Sequence, residues 1–220
     1  MIETVKVIGA GRVGSAVTAR LAERGIEPSD PADVILLCVP DAAIRDVSGG
    51  LNPGHGSWVA HTSGATPLSA LDPHERRFGL HPLHSFTRAR GPEQLDGAYA
   101  AVTAETDEAR EVGFELARLL GLRPFALAEA DRALYHAGAS FASNYLVTLY
   151  RTAGEIFEAV GAPAEGLRPL IQGVIDNGFE LTGPISRGDW TTVDRHLEAI
   201  RTRKPTLEPL YRVLAEATAR

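Results

Sequence analysis

Apolar residues in the first forty positions form two short uninterrupted runs with a helical repeat between them. Residues 4–8 and 33–40 are rich in β-branched and aliphatic side chains, which is typical of parallel strands covered on both faces. Between these runs, apolar residues recur at helical spacing from Val13 to Leu21. This spacing predicts a helix, and Gly25 is expected to end it. The chain is therefore predicted to begin strand, helix, strand.

The rest of the chain divides into a mixed part and a helical part. Four more strands are predicted at residues 57–60, 78–80, 98–103 and 123–127, with a helix at residues 107–120. Strands that alternate with helices predict an α/β fold with a mostly parallel sheet. From residue 129 the apolar spacing is helical and no strand candidate remains. We predict a Rossmann-like domain at residues 1–128 and an all-α domain at residues 129–220.

A glycine turn, Gly9-Ala10-Gly11-Arg12-Val13-Gly14, joins the first strand to the first helix. In this context a GxGxxG pattern is typical of a dinucleotide phosphate site. Such a site also needs a second strand, which ends in a residue that contacts the ribose. Only residues 26–32 separate Gly25 from the next buried strand, and a crossover alone takes about a dozen residues. We therefore predict a truncated Rossmann-type sheet. Glu27 and Asp30 are the only acidic residues in the short stretch; either could contact the ribose, but we favour a role in solvating a tight turn.

Composition narrows the functional class. The formal charge is −6 and the basic residues are scattered, which argues against a nucleic-acid partner. No apolar stretch reaches the roughly 20 residues of a membrane helix, so no membrane partner is expected. The single cysteine, Cys38, lies in an apolar run and is predicted to be a core residue. We expect a cytoplasmic protein that acts on a small molecule.

Polar side chains follow two of the predicted strands. His61 and Ser63 follow one strand, and His81, His84 and Ser85 follow the next. Ligands of open parallel sheets bind at the carboxyl ends of strands, so these residues are expected near a substrate. The histidines could be metal ligands, acid/base groups or plain loop residues. A metal site is not expected, because Pro82 argues against a helix that would align His81 and His84.

A polar stripe is predicted at the start of the long helical segment. His136, Ser140 and Asn144 recur at every fourth position, so in an α-helix they lie along one face. Buried polar groups need partners. Those partners are either a facing domain or a ligand.

Several of these segments resemble the bacterial family of Rossmann-like proteins that carry a helical domain of unknown function, DUF2520. That family is related to 6-phosphogluconate dehydrogenase-type and pyrroline-5-carboxylate reductase-type oxidoreductases. The resemblance rests on residues 7–14, 33–41, 61–64, 79–86, 135–146 and 181–197. It implies an NAD or NADP cofactor, an oxidoreductase activity, and a homodimer formed through the C-terminal helices.

The resemblance also implies roles for individual residues. In the related dehydrogenases a lysine and an asparagine one turn apart hold the reacting oxygen. Ser140 and Asn144 occupy such a pair here, and because the lysine is absent, His81 or His136 would move the proton. The expected catalytic residues are His81, His136, Ser140 and Asn144; the expected cofactor contacts are Gly9, Gly11, Arg12, Val13, Gly14, Val39 and Pro40; the expected substrate contacts are Ser63, His84 and Ser85.

Three functions remain open from the sequence. The first is an NAD(P)-dependent oxidoreductase that acts on a small carbonyl or imine substrate in a cleft between the two domains. The second is a degenerate Rossmann protein that has lost the dinucleotide and binds a metabolite or a partner. The third is a cofactor-independent lyase, isomerase or cyclase that uses His81, His84 and His136 as acid/base groups.

Overall fold

The structure, a computed structural model, describes residues 1–52 and 56–220. Its residues form two compact units, Met1–Phe141 and Ala142–Arg220. The first unit holds a six-stranded sheet, and the second, all of whose residues are described, contains helices joined by turns and no strand. The α/β class with a helical second half is therefore confirmed. The domain boundary at residue 128 stays a prediction.

The sheet has the strand order β1-β2-β3-β4-β5-β6. Its strands are β1 (Val5–Ile8), β2 (Val34–Leu37), β3 (Trp58–His61), β4 (Arg77–Pro82), β5 (Tyr99–Thr103) and β6 (Arg123–Ala126). All neighbouring pairs are parallel except β4 and β5, which are antiparallel. Each of the six predicted strands is confirmed to within a few residues.

Eight α-helices lie within the described residues. They are α1 (Arg12–Glu23), α2 (Ile44–Gly49), α3 (Asp107–Leu119), α4 (Arg132–Ser140), α5 (Leu146–Ala159), α6 (Leu167–Asp176), α7 (Trp190–Arg203) and α8 (Glu208–Thr218). None of these helices is both long enough and apolar enough to cross a membrane.

The sheet is truncated on the side where the sequence is short. Residues 24–33, all of them described, contain no strand. Strand β1 consequently forms an edge of the sheet, and β2 is its one neighbour among the strands of residues 1–52 and 56–220. In a complete Rossmann fold the first strand is flanked on both sides, as in the strand order 3-2-1-4-5-6. The predicted truncation is confirmed.

The sheet unit is packed on both faces of its central strands. All four residues of β2 are buried, and successive side chains of a strand point to opposite faces. Val34 and Leu36 accordingly join the core cluster that includes α1 and α3, whereas Ile35 and Leu37 join a second cluster with Ile44 of α2. A continuous apolar run is needed because both faces are covered.

The helical unit has a much smaller core. Its buried cluster consists of Val193, Leu197 and Ala215, with Ile185 and Tyr211 packed against it. Helix α5 contributes no buried residue. Many of the apolar side chains of this unit are therefore exposed in the single chain.

The long helical segment is interrupted by a π-helical turn at Phe141–Tyr145, between α4 and α5. The sequence pattern did not predict this turn, because a change from 3.6 to more residues per turn alters the spacing only locally. The start of α7 also differs from expectation. The motif Thr191-x-x-Asp194 suggests a cap at Thr191, but Asp189 is the N-cap and accepts the Thr192 N–H at 3.1 Å.

Candidate functional site

The glycine turn brings the ends of β1 and β2 together. A Cβ on Gly9 would lie 2.4 Å from the Cys38 carbonyl oxygen, and the φ of Gly9 is +115°. A Cβ on Gly14 would lie 1.9 Å from the Gly9 carbonyl oxygen. The fold therefore requires glycine at both positions, because a side chain would push β1, β2 and α1 apart.

Gly11 differs from the other two glycines of the turn. The nearest atom to a Cβ on Gly11 would be the Cys38 carbonyl oxygen at 3.9 Å, which is an ordinary van der Waals distance. Its φ of −74° is available to any residue. Packing within the described residues does not explain a glycine here. Close approach of a ligand to the backbone does explain it.

The N-terminus of α1 has no side-chain cap, as is also true of most of the described α-helices. Gly11 is its N-cap residue, no side chain caps it, and its first turn contains no acidic residue. Helix α3 is different, because the Thr106 hydroxyl accepts the Ala109 N–H at 3.1 Å. The first N–H groups of α1 and the positive end of its dipole are thus free of any side-chain acceptor within the described chain.

The other predicted cofactor contacts surround this turn. Arg12 is exposed at the first position of α1, whereas the Val13 side chain is partly buried against the core. Val39 packs against the second core cluster, and Pro40 is exposed directly after it. Only the backbone of Val13 and Val39 is therefore placed for a ligand, while Arg12 can offer its guanidinium group.

Next to the glycine turn, the described residues offer no site for the adenosine portion of a dinucleotide. Among the described residues, no strand lies beyond β1 whose end could carry a ribose ligand. Asp30 pairs with Lys6 on β1, with 2.5 Å between Nζ and Oδ2, and Glu27 is exposed. The residues present fit the pyrophosphate portion of a dinucleotide and do not fit its adenosine portion.

Cys38 is buried, as predicted. Burial raises the pKa of its thiol to about 12. The thiol therefore stays protonated at neutral pH and is a core group.

The sequence predicts His61 in the loop after β3, but His61 belongs to the strand itself. It is the last residue of β3 and is fully buried. Neither ring nitrogen has a hydrogen-bond partner in the described structure. Burial, together with the nearby positive charge of Arg132, lowers the pKa of His61 to about 4. The ring is neutral, and its burial excludes direct contact with a substrate.

Arg132, at the start of α4, is a buried cation that the sequence analysis missed. Its guanidinium group lies over Gly79 of β4, where a Cβ would be 2.7 Å from Nη1. Nη2 donates to the Ser63 carbonyl oxygen at 2.6 Å, and Nε lies 3.9 Å from a Glu129 carboxylate oxygen. The lack of a side chain at Gly79 makes room for the guanidinium group. Nothing in the sequence near Arg132 distinguishes it from a solvated arginine.

His81, Tyr135 and His136 form a cluster of rings beside the loop that follows β3. The Tyr135 hydroxyl lies 2.9 Å from His81 Nδ1. The two histidine rings contact edge to face, with 6.0 Å between centroids. A Cβ on Gly64 would lie 2.6 Å from His136 Cδ2 and 2.9 Å from His81 Nε2. Glycine at position 64 therefore gives both rings their space.

The ionisation of this cluster is set mainly by burial. Burial, followed by the charges of His136 and Arg132, lowers the pKa of His81 to about 4. Burial raises the pKa of Tyr135 to about 12. At neutral pH the His81 ring is therefore an uncharged imidazole bonded to an intact phenol.

Ser63 is buried, and its hydroxyl is hydrogen-bonded both to Asp41 and within its own loop. The Oγ atom donates to Asp41 Oδ2 at 2.8 Å and accepts from the backbone N–H groups of Ala65 and Thr66. These bonds hold the turn that carries Gly64. The predicted contact between Ser63 and a substrate stays a prediction.

His84 and Ser85 are exposed after the end of β4. The His84 ring contacts Phe86 edge to face, with 5.2 Å between centroids. The structure does not bring these two side chains into the ring cluster, and their predicted contact with a substrate also stays a prediction.

His136 and Ser140 share one face of α4, as their spacing predicts. Asn144 lies in the π-helical turn and is exposed. Four residues in a π-helix turn through a smaller angle than in an α-helix. The turn that carries Asn144 is therefore π-helical and not α-helical, and the expectation that His136, Ser140 and Asn144 share one face stays a prediction.

Solved structures share the fold over almost their full length. A Bacteroides fragilis protein provisionally assigned as an NADP oxidoreductase matches with a TM-score of 0.83 at 19% identity, over 99% of this chain and 98% of its own. A Thermotoga maritima protein matches with a TM-score of 0.79 at 22% identity, over 98% of both chains. A provisionally assigned oxidoreductase of Mycobacterium avium 104 matches with a TM-score of 0.68 at 17% identity, over 100% of this chain and 98% of its own.

No curated protein matches this sequence. The sequence pattern of the domain of unknown function DUF2520 matches residues 98–218, which is more than half of the chain. This match agrees with the resemblance of the segments described above. The chain therefore belongs to the DUF2520 family.

Proposed function

We propose that this protein is an oxidoreductase that binds the pyrophosphate and nicotinamide portions of NAD or NADP at the glycine turn. Its substrate is a small molecule with a carbonyl or imine group, held beside His81. When bound, the cofactor supplies or accepts a hydride. Residues of this chain bind and orient the substrate and handle the proton.

The observation that carries this proposal is the glycine at position 11. Gly9 and Gly14 are required by packing, whereas Gly11 is not. A phosphate that approaches the backbone accounts for it, together with the uncapped N-terminus of α1. The proposal is also supported by the fold that this chain shares with provisionally assigned oxidoreductases.

The ring cluster supplies the substrate side of the proposal. His81 lies at the end of β4, and ligands of such sheets bind at this edge. His136 contacts it from α4, and Ser140 follows one turn later on the same face. These three side chains can hydrogen-bond a carbonyl oxygen or an imine nitrogen.

Fragments of the cofactor test the proposal. A ligand of the native state raises the melting temperature. We expect reduced nicotinamide mononucleotide to raise it about as much as NADH and NADPH at equal millimolar concentration, because the adenosine side is missing. ADP-ribose is expected to give a smaller shift. If none of these nucleotides stabilises the protein, the proposal is wrong.

A negative charge placed at the glycine turn tests where the nucleotide binds, and the same charge placed elsewhere is the control. Gly11→Asp fits the backbone and puts a carboxylate where the phosphate is proposed to bind. It is expected to abolish the nucleotide-dependent shift without lowering the melting temperature of the free protein. Gly49→Asp makes the same change at an exposed helix end where a Cβ meets no atom within 4 Å, and it should leave the nucleotide shift intact.

One observation favours a second function. Because β1 is the sheet edge, the protein could hold a small phosphorylated metabolite at the turn without redox chemistry. In that case inorganic phosphate or a sugar phosphate would stabilise the protein more than any nicotinamide nucleotide. Gly11→Asp would abolish that stabilisation too, so comparison of the ligands separates the two functions.

We further propose that the protein is a homodimer that uses the apolar surface of its helical unit. Helix α5 has no buried residue, and Leu170 and Val174 on α6 are exposed one turn apart. Phe179, just after α6, is 72% exposed. A surface this rich in large apolar side chains marks an interaction site, and a second copy of the same surface would cover it.

Charge substitutions on α6 test the dimer. Leu170→Glu is expected to convert a dimer to a monomer in sedimentation velocity experiments. Gln172→Glu places the same charge on the same helix, at an exposed polar position, and should leave the dimer unchanged. A wild-type protein that sediments as a monomer at all concentrations would refute the proposal.

A further inference from the structure

Tyr135 is held in one orientation against the His81 ring. Its hydroxyl lies 2.9 Å from His81 Nδ1, and the two rings contact nearly perpendicularly with 5.6 Å between centroids. On its other side Tyr135 contacts the Phe125 ring of β6 at 5.9 Å. The hydroxyl is therefore aimed at one particular nitrogen.

The direction of this hydrogen bond follows from the chemistry of its two groups. Phenol is a stronger acid than the imidazole N–H, and an imidazole nitrogen is a stronger base than a phenol oxygen. The hydrogen bond is therefore stronger when the Tyr135 O–H donates to His81 Nδ1 than when the imidazole N–H donates to the phenol oxygen. A neutral imidazole carries a single ring proton, so in this arrangement that proton lies on Nε2.

The surroundings of His81 favour its uncharged form. Arg132 and His136 on α4 face it, and Asp41, after β2, is the nearby carboxylate. His61 on the neighbouring strand β3 is itself buried and neutral. With a guanidinium group close by and the ring partly buried, a second ring proton is disfavoured.

The Nε2 atom of His81 lies next to Gly64. A Cβ at this glycine would be 2.9 Å from Nε2. The described residues give Nε2 no hydrogen-bond partner, and the atom is not completely buried. The N–H on this nitrogen is therefore left for a hydrogen-bond acceptor from outside the described chain.

We propose that Tyr135 is a positioning residue, whose hydroxyl holds His81 in the Nε2–H tautomer so that Nε2 donates a hydrogen bond to an acceptor atom of the substrate. This inference rests on the proposed function only for the identity of that acceptor, a carbonyl oxygen or imine nitrogen. His81 then binds and orients the acceptor. The tautomer of a histidine is commonly set in this way by the bond that its other nitrogen makes.

The tautomer can be measured without any nucleotide by ¹⁵N NMR of the histidine rings in the full chain. His81→Asn identifies the His81 signals by their loss. In the wild-type protein at pH 7 we expect a protonated Nε2 and an unprotonated Nδ1 that is shifted by an accepted hydrogen bond. Tyr135→Phe keeps the ring contacts and removes only the hydroxyl. It should shift the Nδ1 resonance towards that of a free imidazole nitrogen and raise the fraction of the Nδ1–H tautomer.

A second tyrosine–histidine pair provides the matched control. The Tyr211 hydroxyl lies 2.7 Å from His196 Nδ1, with the rings 6.0 Å apart and perpendicular. Tyr211→Phe should change the His196 signals and leave those of His81 unchanged. Each variant removes one tyrosine hydroxyl that bonds a histidine Nδ1, and only Tyr135→Phe is expected to affect His81.

A chemical variant keeps the test decisive if Tyr135→Phe does not fold. Replacement of all five tyrosines by 3-fluorotyrosine makes every phenol a stronger donor. It should move His81 Nδ1 in the direction opposite to Tyr135→Phe. A wild-type His81 protonated at Nδ1, or an Nδ1 resonance that does not respond to either change, would overturn the inference. Because no nucleotide is present, the result is independent of whether the proposed cofactor binds.

Discussion

The two units of the molecule place their apolar side chains differently. In the sheet unit, β2 and β3 are completely buried and large residues such as Phe78 and Leu36 are fully enclosed. In the helical unit, α5 buries no residue and Leu170 is 62% exposed. The sheet unit therefore completes its core within one chain. The helical unit leaves many apolar side chains exposed in the single chain.

The largest expected difference comes from the same substitution in both units. Leu36→Ala should destabilise the sheet unit by about 2–5 kcal/mol, because it leaves a cavity between packed layers. Leu170→Ala should change stability by no more than about 0.5 kcal/mol in a single chain. Urea unfolding can follow each unit separately, since one tryptophan, Trp58, lies in the sheet unit and the other, Trp190, in the helical unit.

Protein concentration sharpens this first comparison. If Leu170→Ala costs several kcal/mol at high protein concentration and little at low concentration, its side chain is covered in a dimer. If both variants lost the same free energy of unfolding at every protein concentration, the proposed difference between the two units would be wrong.

Acid should destabilise the sheet unit. The pKa of the fully buried His61 is lowered to about 4 from its ordinary value near 6.5. Between these values the unfolded chain binds a proton that the folded chain does not, so stability is lost as the pH falls through this window. The loss is on the order of 3 kcal/mol for His61, and His81 changes stability in the same direction.

The measurement is urea unfolding between pH 7 and pH 4, followed by Trp58 fluorescence in a Trp190→Phe background. His61→Asn removes the titrating group and should reduce the dependence of stability on pH, even if it also lowers stability at pH 7. A pH dependence that stays the same in His61→Asn would contradict the assignment.

The smallest expected effects have opposite signs in the two units. A Cβ on Gly113 of α3 would lie 2.6 Å from Val102 Cγ1, so Gly113→Ala should destabilise the sheet unit by about 1–3 kcal/mol. A Cβ on Gly173 of α6 meets no atom within 4 Å, so Gly173→Ala should stabilise its helix by about 0.5–1 kcal/mol. Thermal unfolding of the two variants measures both signs. A destabilising Gly173→Ala would indicate that a partner packs against that position.

Most strands and helices of the sheet unit can be predicted from the sequence, because each depends on a pattern of neighbouring residues. The apolar runs at β1 and β2 and the spacing of α1 predict the first strand, helix and strand. The length of residues 26–32 predicts the truncation, since too few residues are present to form another strand and its crossover. The helical signal in the second half is also local, although the π-helical turn at Phe141–Tyr145 escapes it.

The candidate site is less predictable, since its parts come from distant positions. The sequence places His81 and His136 near a ligand site but does not show that Tyr135 bonds His81. It also does not show that Arg132 reaches the Ser63 carbonyl, a contact across 69 residues. Such contacts depend on how β3, β4 and α4 pack, and no local pattern encodes that packing.

The sequence by itself therefore determined the six strands, helices α1 and α3, the helical character of the second half, the glycine turn and the missing strand, because each depends on neighbouring residues or on chain length. The tertiary structure decided which residues meet. It buried His61, placed Arg132 over Gly79 and showed that packing requires Gly9 and Gly14 but not Gly11. The reason is physical: burial and close contact are properties of three-dimensional neighbours, and these neighbours lie far apart along the chain.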